Sequence, residues 1–130
     1  MLTMKLTALV TIGAVFTTAI LGGIAGSMRD KQGVIAPAMT GSLQFEKANR
    51  AHANTVEQLV LFLPLLWIST VALGDLWAAS VGLVWIFGRC IYAWLYMANT
   101  GKRIYGVIVT SLSTGILAIS ACVGIVMGFL

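Results

Sequence analysis

Charged residues are scarce in this sequence of 130 residues. Only 9% are Asp, Glu, Lys or Arg, whereas 59% are hydrophobic, and the mean hydropathy is +0.98. A soluble domain carries about 25% charged and about 45–50% apolar residues. Because a chain of this length cannot bury so much apolar surface within itself, lipid must cover much of it. The shortage of charge excludes an ordinary soluble fold and predicts a membrane protein.

Metal-ligating and nucleophilic residues are also few. The chain has one histidine, His52, and two cysteines, Cys90 and Cys122, which lie inside apolar segments. The sequence has no zinc-ligand spacing, no catalytic triad pattern and no nucleotide-binding glycine loop. We expect no metal site. Both cysteines are predicted to be packing residues, because a free cysteine behaves as a small hydrophobe, and His52 is predicted to pack between helices rather than to catalyse.

Four stretches are long enough to cross a bilayer, which requires about 20 apolar residues. The first, between Lys5 and Arg29, is longer than the apolar core of a signal peptide and is expected to be retained. The second must include the polar segment from Glu46 to Glu57, because the uncharged remainder up to Asp75 is too short to span easily. The sequence predicts one all-α domain, residues 1–130, that forms a four-helix transmembrane bundle, with helices at about residues 6–27, 45–73, 76–98 and 104–128.

Basic residues are distributed unevenly between the two sides of the membrane. One side holds the segments after the first and third helices, which carry Arg29, Lys31, Lys47, Lys102 and Arg103. The opposite side holds Lys5 and Asp75. The excess of Lys and Arg in cytoplasmic loops predicts that the basic loops are cytoplasmic and that both termini lie on the opposite side. Membrane orientation thus explains the net charge of +4, and we expect no nucleic-acid partner.

Polar residues form a stripe on one face of the second helix and another on the third. Arg50, Asn54 and Glu57 are spaced i, i+4 and i+7, and a similar stripe contains Arg89, Tyr92 and Tyr96. A charge in a membrane helix costs roughly 2.5–3.5 kcal/mol. We therefore expect the charged residues to face the bundle interior or a water-filled pocket, and to be paired.

These stripes have two interpretations. They could form an ion-pair network that only holds the helices together, or they could bind an anionic ligand. The donors on the two stripes outnumber what Glu57 can accept, which favours an anionic ligand.

The strings FEKANRAHANTVEQ and GRCIYAWLYMANTGKR resemble the signature of the MAPEG superfamily, the membrane-associated proteins in eicosanoid and glutathione metabolism. The resemblance covers nearly the whole chain. It implies a homotrimer of four-helix subunits, with glutathione bound between neighbouring subunits near the cytoplasmic side. The sequence departs from the family pattern at Ala53, where several members carry a basic residue, and at Gln58, where many carry tyrosine. The matching positions are Arg50, Ala51, His52, Asn54, Glu57, Arg89, Tyr92, Tyr96 and Arg103.

The resemblance also implies a role for each site residue. The glutathione carboxylates would bind arginines, and its amino group would bind Glu57. Arg103 would be the catalytic residue, because a guanidinium stabilises the thiolate, which is the reactive form. Arg29 would be an additional contact. The full set of implied glutathione-binding residues is Arg50, Asn54, Glu57, Arg89, Tyr92, Tyr96 and Arg29.

The resemblance implies a glutathione-dependent membrane enzyme. Its thiolate would attack lipophilic electrophiles that enter from the bilayer, or would reduce peroxides. The alternative is a non-catalytic scaffold or lipid-binding protein with the same fold. Small multidrug-type transporters also have four helices in a similar length, but they need an acidic residue in the first helix, and residues 6–28 contain none.

Overall fold

In the computed structural model, which describes residues 4–128, the chain forms four α-helices and, within that range, no strands. All four helices are long and apolar enough to cross a membrane. The predicted all-α four-helix membrane fold is therefore confirmed, and the chain is a multi-pass integral membrane protein. The helices are α1 (Lys5–Lys31), α2 (Leu43–Leu73), α3 (Asp75–Met97) and α4 (Ile104–Val126).

Helix α1 extends further than the sequence predicted. Its end was expected near Ser27, but the helix continues to Lys31. The last turn contains Arg29 and Lys31, whose positive charges interact favourably with the negative end of the helix dipole. The loop between α1 and α2 therefore begins only after Lys31, and Arg29 is held on a helix.

The helix order defines two ends of the bundle. Both basic loops lie at one end, here called the basic end, and the α2–α3 turn lies at the other. Helices α2 and α3 each pack against all of the other helices, whereas the described parts of α1 and α4 do not touch each other. The pair α2–α3 is thus the centre of the protomer, and the two polar stripes lie on these central helices.

The apolar core contains a stacked aromatic pair. The rings of Phe62 on α2 and Trp85 on α3 lie 4.0 Å apart and are nearly parallel, with an interplanar angle of 8°. Both side chains are fully buried. Small residues let the helix backbones approach closely around them: a Cβ added at Gly82 of α3 would lie only 2.6 Å from the Val10 side chain of α1. Close packing through small residues is the usual way in which helices associate in lipid.

Asp75 ties three helices together at the end away from the basic loops. Its carboxylate accepts hydrogen bonds from the backbone N–H groups of Leu6 (3.0 Å) and Thr7 (2.8 Å), at the start of α1. The Thr7 hydroxyl lies 2.8 Å from that of Thr70 on α2. The first N–H groups of a helix have no partner within the helix, so a carboxylate from α3 provides a cap for α1.

The two cysteines lie on the outside of the protomer. They were predicted to be packing residues, but within this chain Cys90 and Cys122 are both exposed. Each lies one turn from a large exposed apolar residue, Phe87 and Ile119 respectively. A thiol that behaves as a small hydrophobe is as acceptable against apolar surroundings outside the bundle as in its core.

Candidate functional site

The buried guanidinium of Arg89 joins α3 to α2. Arg89 is only 2% exposed. Its Nη2 donates to the Thr55 hydroxyl at 2.7 Å, and its guanidinium carbon lies 4.3 Å from the centre of the Tyr92 ring. Among residues 4–128, its Nε is buried without a hydrogen-bond partner. Arg89 was expected to face the bundle interior and to be paired; it is buried, and its partners in the described part of the chain are a hydroxyl and an aromatic ring face.

Tyr92 links this buried cation to the surface. Its hydroxyl accepts a hydrogen bond from the side-chain amide of Asn54. Its ring centre lies 5.6 Å from that of Tyr96, and the Arg103 guanidinium lies 5.0 Å from the centre of the Tyr96 ring. A cation over an aromatic face within about 6 Å is attracted by it. These four residues, here called the aromatic stack, run from buried Arg89 through Tyr92 and Tyr96 to exposed Arg103.

Two polar pockets lie at the basic end and share Lys47 and Tyr96. Their linings together include three cations, Lys47, Arg50 and Arg103, and, among the described residues, one carboxylate, Glu46. Such a surplus of positive charge suits an anionic ligand. One pocket, of about 240 Å³, is lined by Lys47, Leu95, Tyr96, Asn99, Gly101 and Arg103; the other, of about 360 Å³, is lined by Met39, Leu43, Glu46, Lys47, Asn49, Arg50 and Tyr96.

Arg50 and Glu57 lie on the outer face of α2. Both are exposed on the protomer, and Val60, one turn beyond Glu57, is 67% exposed. The structure therefore brings Asn54 to the aromatic stack but leaves Glu57 apart from it. The expectation that Glu57 faces the bundle interior or a pocket is wrong for the single chain, because the rotation of α2 leaves this side chain exposed and outside both polar pockets. A carboxylate that faces hydrocarbon is costly, so this face of α2 needs a polar or protein partner.

Arg29 holds the loop between α1 and α2. Its Nη1 donates to the Ala38 carbonyl at 2.7 Å, its Nη2 lies 3.5 Å from the Met39 sulfur, and its guanidinium lies 4.4 Å from the centre of the Phe45 ring. Arg29 does not line either polar pocket, whereas Met39 lines one of them. Arg29 therefore affects the pocket indirectly, because it holds the loop that carries the lining residue Met39.

Thr55, Lys47 and Asn99 were not predicted as site residues, although Thr55 binds Arg89 and the other two line a pocket. Helical spacing could have found Lys47, which precedes Arg50 by three positions on α2. Asn99 lies in the turn after α3, where its φ is 57°, so helical periodicity gives no signal for it. His52 lies at the contact between α2 and α1. A Cβ added at Gly22 would be 3.2 Å from its Nε2, as a packing role requires.

Comparison with known proteins identifies the family. The sequence matches the MAPEG family over residues 7–123. An uncharacterized protein of Synechocystis sp. is 41% identical over 118 residues, which cover 91% of this chain and 86% of that protein.

Two further relatives are named for an activity. Microsomal glutathione S-transferase 2 of Homo sapiens is 40% identical over 99 residues, 76% of this chain and 65% of that protein. Leukotriene C4 synthase of Cavia porcellus is 33% identical over 97 residues, which cover 75% of this chain and 65% of that protein. The match thus spans just under two thirds of the length of these two relatives. Both the family match and the identity to these proteins lead to one conclusion: this chain belongs to the MAPEG family.

Proposed function

We propose that this protein is a glutathione-dependent membrane enzyme, which transfers the glutathione thiolate to lipophilic electrophiles from the bilayer or reduces lipophilic peroxides. The observation that carries the proposal is the pair of pockets in which Lys47, Arg50 and Arg103 surround Tyr96. Two MAPEG relatives, a microsomal glutathione S-transferase and a leukotriene C4 synthase, support glutathione as the ligand.

The chemistry of glutathione matches the groups around these pockets. The tripeptide has two carboxylates, one amino group and one thiol. Arg50, with Lys47 beside it in the same pocket, provides the charge that carboxylates require. Glu57 provides a partner for the amino group. Asn54, Tyr92 and Tyr96 provide hydrogen-bonding groups between these ends, and Arg29 fixes the loop that carries Met39.

Arg103 is the residue that we assign to the thiol. A guanidinium beside the sulfur favours the thiolate over the thiol. The thiol proton goes to water, and the thiolate electron pair forms a carbon–sulfur bond while the bond from that carbon to the leaving group breaks and the leaving group takes its electrons. In an epoxide the electrons of the broken carbon–oxygen bond stay on the oxygen, which remains in the product and takes a proton. With a peroxide the thiolate attacks the O–O bond, which gives an alcohol and a sulfenic acid, and a second glutathione converts the sulfenic acid into the disulfide and water. The protein contributes the activated nucleophile and the proximity of the two reactants.

A complete site in this proposal includes a second copy of the chain. Arg50 and Glu57 lie on an outer face of α2 that needs a partner, and a homotrimer with glutathione between neighbouring subunits provides one. We place the basic loops on the cytoplasmic side and both termini on the opposite side, following the positive-inside rule. Glutathione then enters at the basic end, and the lipophilic substrate enters from the membrane.

The test is calorimetric titration of the purified protein in detergent with glutathione, together with the ultraviolet absorbance of the bound thiolate at neutral pH. Saturable binding with a thiolate signal is expected. S-methylglutathione is the matched control, because it should bind without the thiolate signal. Absence of binding at millimolar glutathione would contradict the enzyme proposal and favour the non-catalytic scaffold or lipid-binding protein.

A further inference from the structure

Arg89 is the residue whose place in the fold differs most from the role that the family resemblance implies. A direct glutathione ligand needs an accessible polar group. Arg89 is 2% exposed, and it lines neither of the two polar pockets. It contacts two residues that also lie outside the linings of both pockets: the Thr55 hydroxyl at 2.7 Å and the face of the Tyr92 ring at 4.3 Å.

Tyr92 contacts both Arg89 and the residues nearer the pockets. Its hydroxyl accepts the hydrogen bond from Asn54, and its ring packs against Tyr96. Asn54 and Tyr96 are both half-buried, and Tyr96 lines both pockets. The hydrogen bond and the aromatic contact of Arg89 thus lead to the candidate ligand site through Thr55 and Tyr92.

The backbone of Tyr92 is already fixed from the other side. A Cβ added at Gly106 of α4 would lie 2.5 Å from the Tyr92 backbone, so α4 packs directly against this residue. The orientation of the ring depends instead on its side-chain contacts with Arg89, Asn54 and Tyr96. A planar guanidinium that stacks on the ring while it donates to Thr55 can fix that orientation, and a lysine ammonium cannot do both in the same way.

We propose that Arg89 is a positioning residue for glutathione rather than a ligand. It holds the Tyr92 ring, and through Tyr92 it fixes Asn54 and Tyr96 in the orientations that bind the tripeptide. This inference rests on the proposed function, since it assumes that glutathione occupies the polar pockets. Burial of a guanidinium without a carboxylate partner in the described chain lowers the stability of the fold. In this proposal its function is to fix the orientation of the side chains that bind glutathione.

The test is a double-mutant cycle on glutathione affinity with Arg89→Met, Tyr92→Leu and the two combined. Tyr92→Leu removes both the ring that Arg89 contacts and the acceptor for Asn54. Each single variant is expected to weaken binding about tenfold, the equivalent of one good hydrogen bond. If Arg89 acts through Tyr92, the double variant is also weakened about tenfold, because coupled residues are not additive. A loss of about a hundredfold, the product of the two, overturns the proposal and makes Arg89 an independent ligand.

Two further variants keep the test valid if Arg89→Met does not fold. Thr55→Val removes only the hydroxyl that holds the guanidinium, and it should weaken glutathione binding in the wild-type background but not in Tyr92→Leu. Arg89→Lys should bind with an affinity between those of the wild type and Arg89→Met. Unchanged affinity in both Thr55→Val and Arg89→Lys overturns the proposal. Failure of the wild type itself to bind glutathione refutes the proposed function instead, before any variant is compared.

Discussion

The guanidinium of Arg103 lies 5.0 Å from the centre of the Tyr96 ring. Arg103 is also the residue immediately before the first turn of α4. Its charge therefore adds to the positive end of that helix dipole, and both act in the pocket that Tyr96 lines. The Tyr96 ring contacts one face of the Arg103 guanidinium, so the N–H groups at the edge of the guanidinium can bind an anion. This arrangement is the basis for assigning Arg103 to the thiolate.

Arg103→Ala should leave glutathione binding nearly intact and depress turnover. Removal of one neighbouring cation typically changes a thiol pKa by about one to two units, so the thiolate signal and the rate near neutral pH should fall roughly ten- to hundredfold. Lys102→Ala is the matched control, because it removes an adjacent exposed charge outside the two pockets. Equal loss of binding and rate in Arg103→Ala would contradict the assigned role.

Glu57→Gln should weaken glutathione binding through loss of the carboxylate that meets the ligand's amino group. A charge-assisted hydrogen bond contributes about 1.5–3 kcal/mol, so affinity should fall at least tenfold. The control is a glutathione analogue without the amino group, which should bind the wild type and the variant equally. Calorimetry with both ligands checks this, and an equal loss for the two ligands would indicate a structural effect of the substitution.

Gly106→Ala and Gly115→Ala should differ sharply, although both glycines lie in α4. At Gly106 an added Cβ would lie 2.5 Å from the backbone of Tyr92, whereas at Gly115 no atom of residues 4–128 outside the adjacent backbone of α4 would lie within 4 Å of it. Overpacking should destabilise the first variant by about 1–3 kcal/mol, and the displaced Tyr92 should weaken glutathione binding. Gly115→Ala should be neutral or up to about 1 kcal/mol more stable, because alanine favours helix. Thermal unfolding in detergent measures the stability of both variants. Similar unfolding temperatures for the two would contradict the close approach of α4 to Tyr92 at Gly106.

Asp75→Ala should loosen the start of α1. The substitution removes both carboxylate oxygens that accept from Leu6 and Thr7, so these N–H groups lose their partner from α3. Faster hydrogen exchange at the first turn of α1 is expected, with a lower unfolding temperature. Asp30→Ala, at the other end of the same helix, is the comparison variant. If the backbone amides of Leu6 and Thr7 stay protected from hydrogen exchange in Asp75→Ala, the Asp75 carboxylate is not the cap of α1.

The fold follows from the hydropathy of the chain. In hydrocarbon every backbone N–H and C=O must find a partner within the protein, so a single apolar stretch of spanning length has to be a helix. That is why the four helices could be predicted from the spacing of Lys5, Arg29, Asp75 and Arg103. The end of α1 was missed because polar residues at a helix terminus are as compatible with a last helical turn as with a loop.

Part of the candidate site was also predictable. Helical periodicity places Arg89, Tyr92 and Tyr96 on one face of α3, and the structure brings all three into the aromatic stack with Arg103. The family motifs point to the same residues. Their roles as glutathione contacts stay predictions, to be decided by the binding experiments above.

The sequence by itself determined that the chain is a four-helix membrane protein and which residues share a helix face, because both depend on local composition and helical period. Only the tertiary structure decided what each face meets. It buries Arg89 against Thr55 and Tyr92, leaves Glu57 and both cysteines on the outside, and joins Arg29 to the loop before α2. The physical reason is that spacing along one helix fixes directions only relative to that helix, whereas burial and partners depend on how the helices rotate and pack against each other.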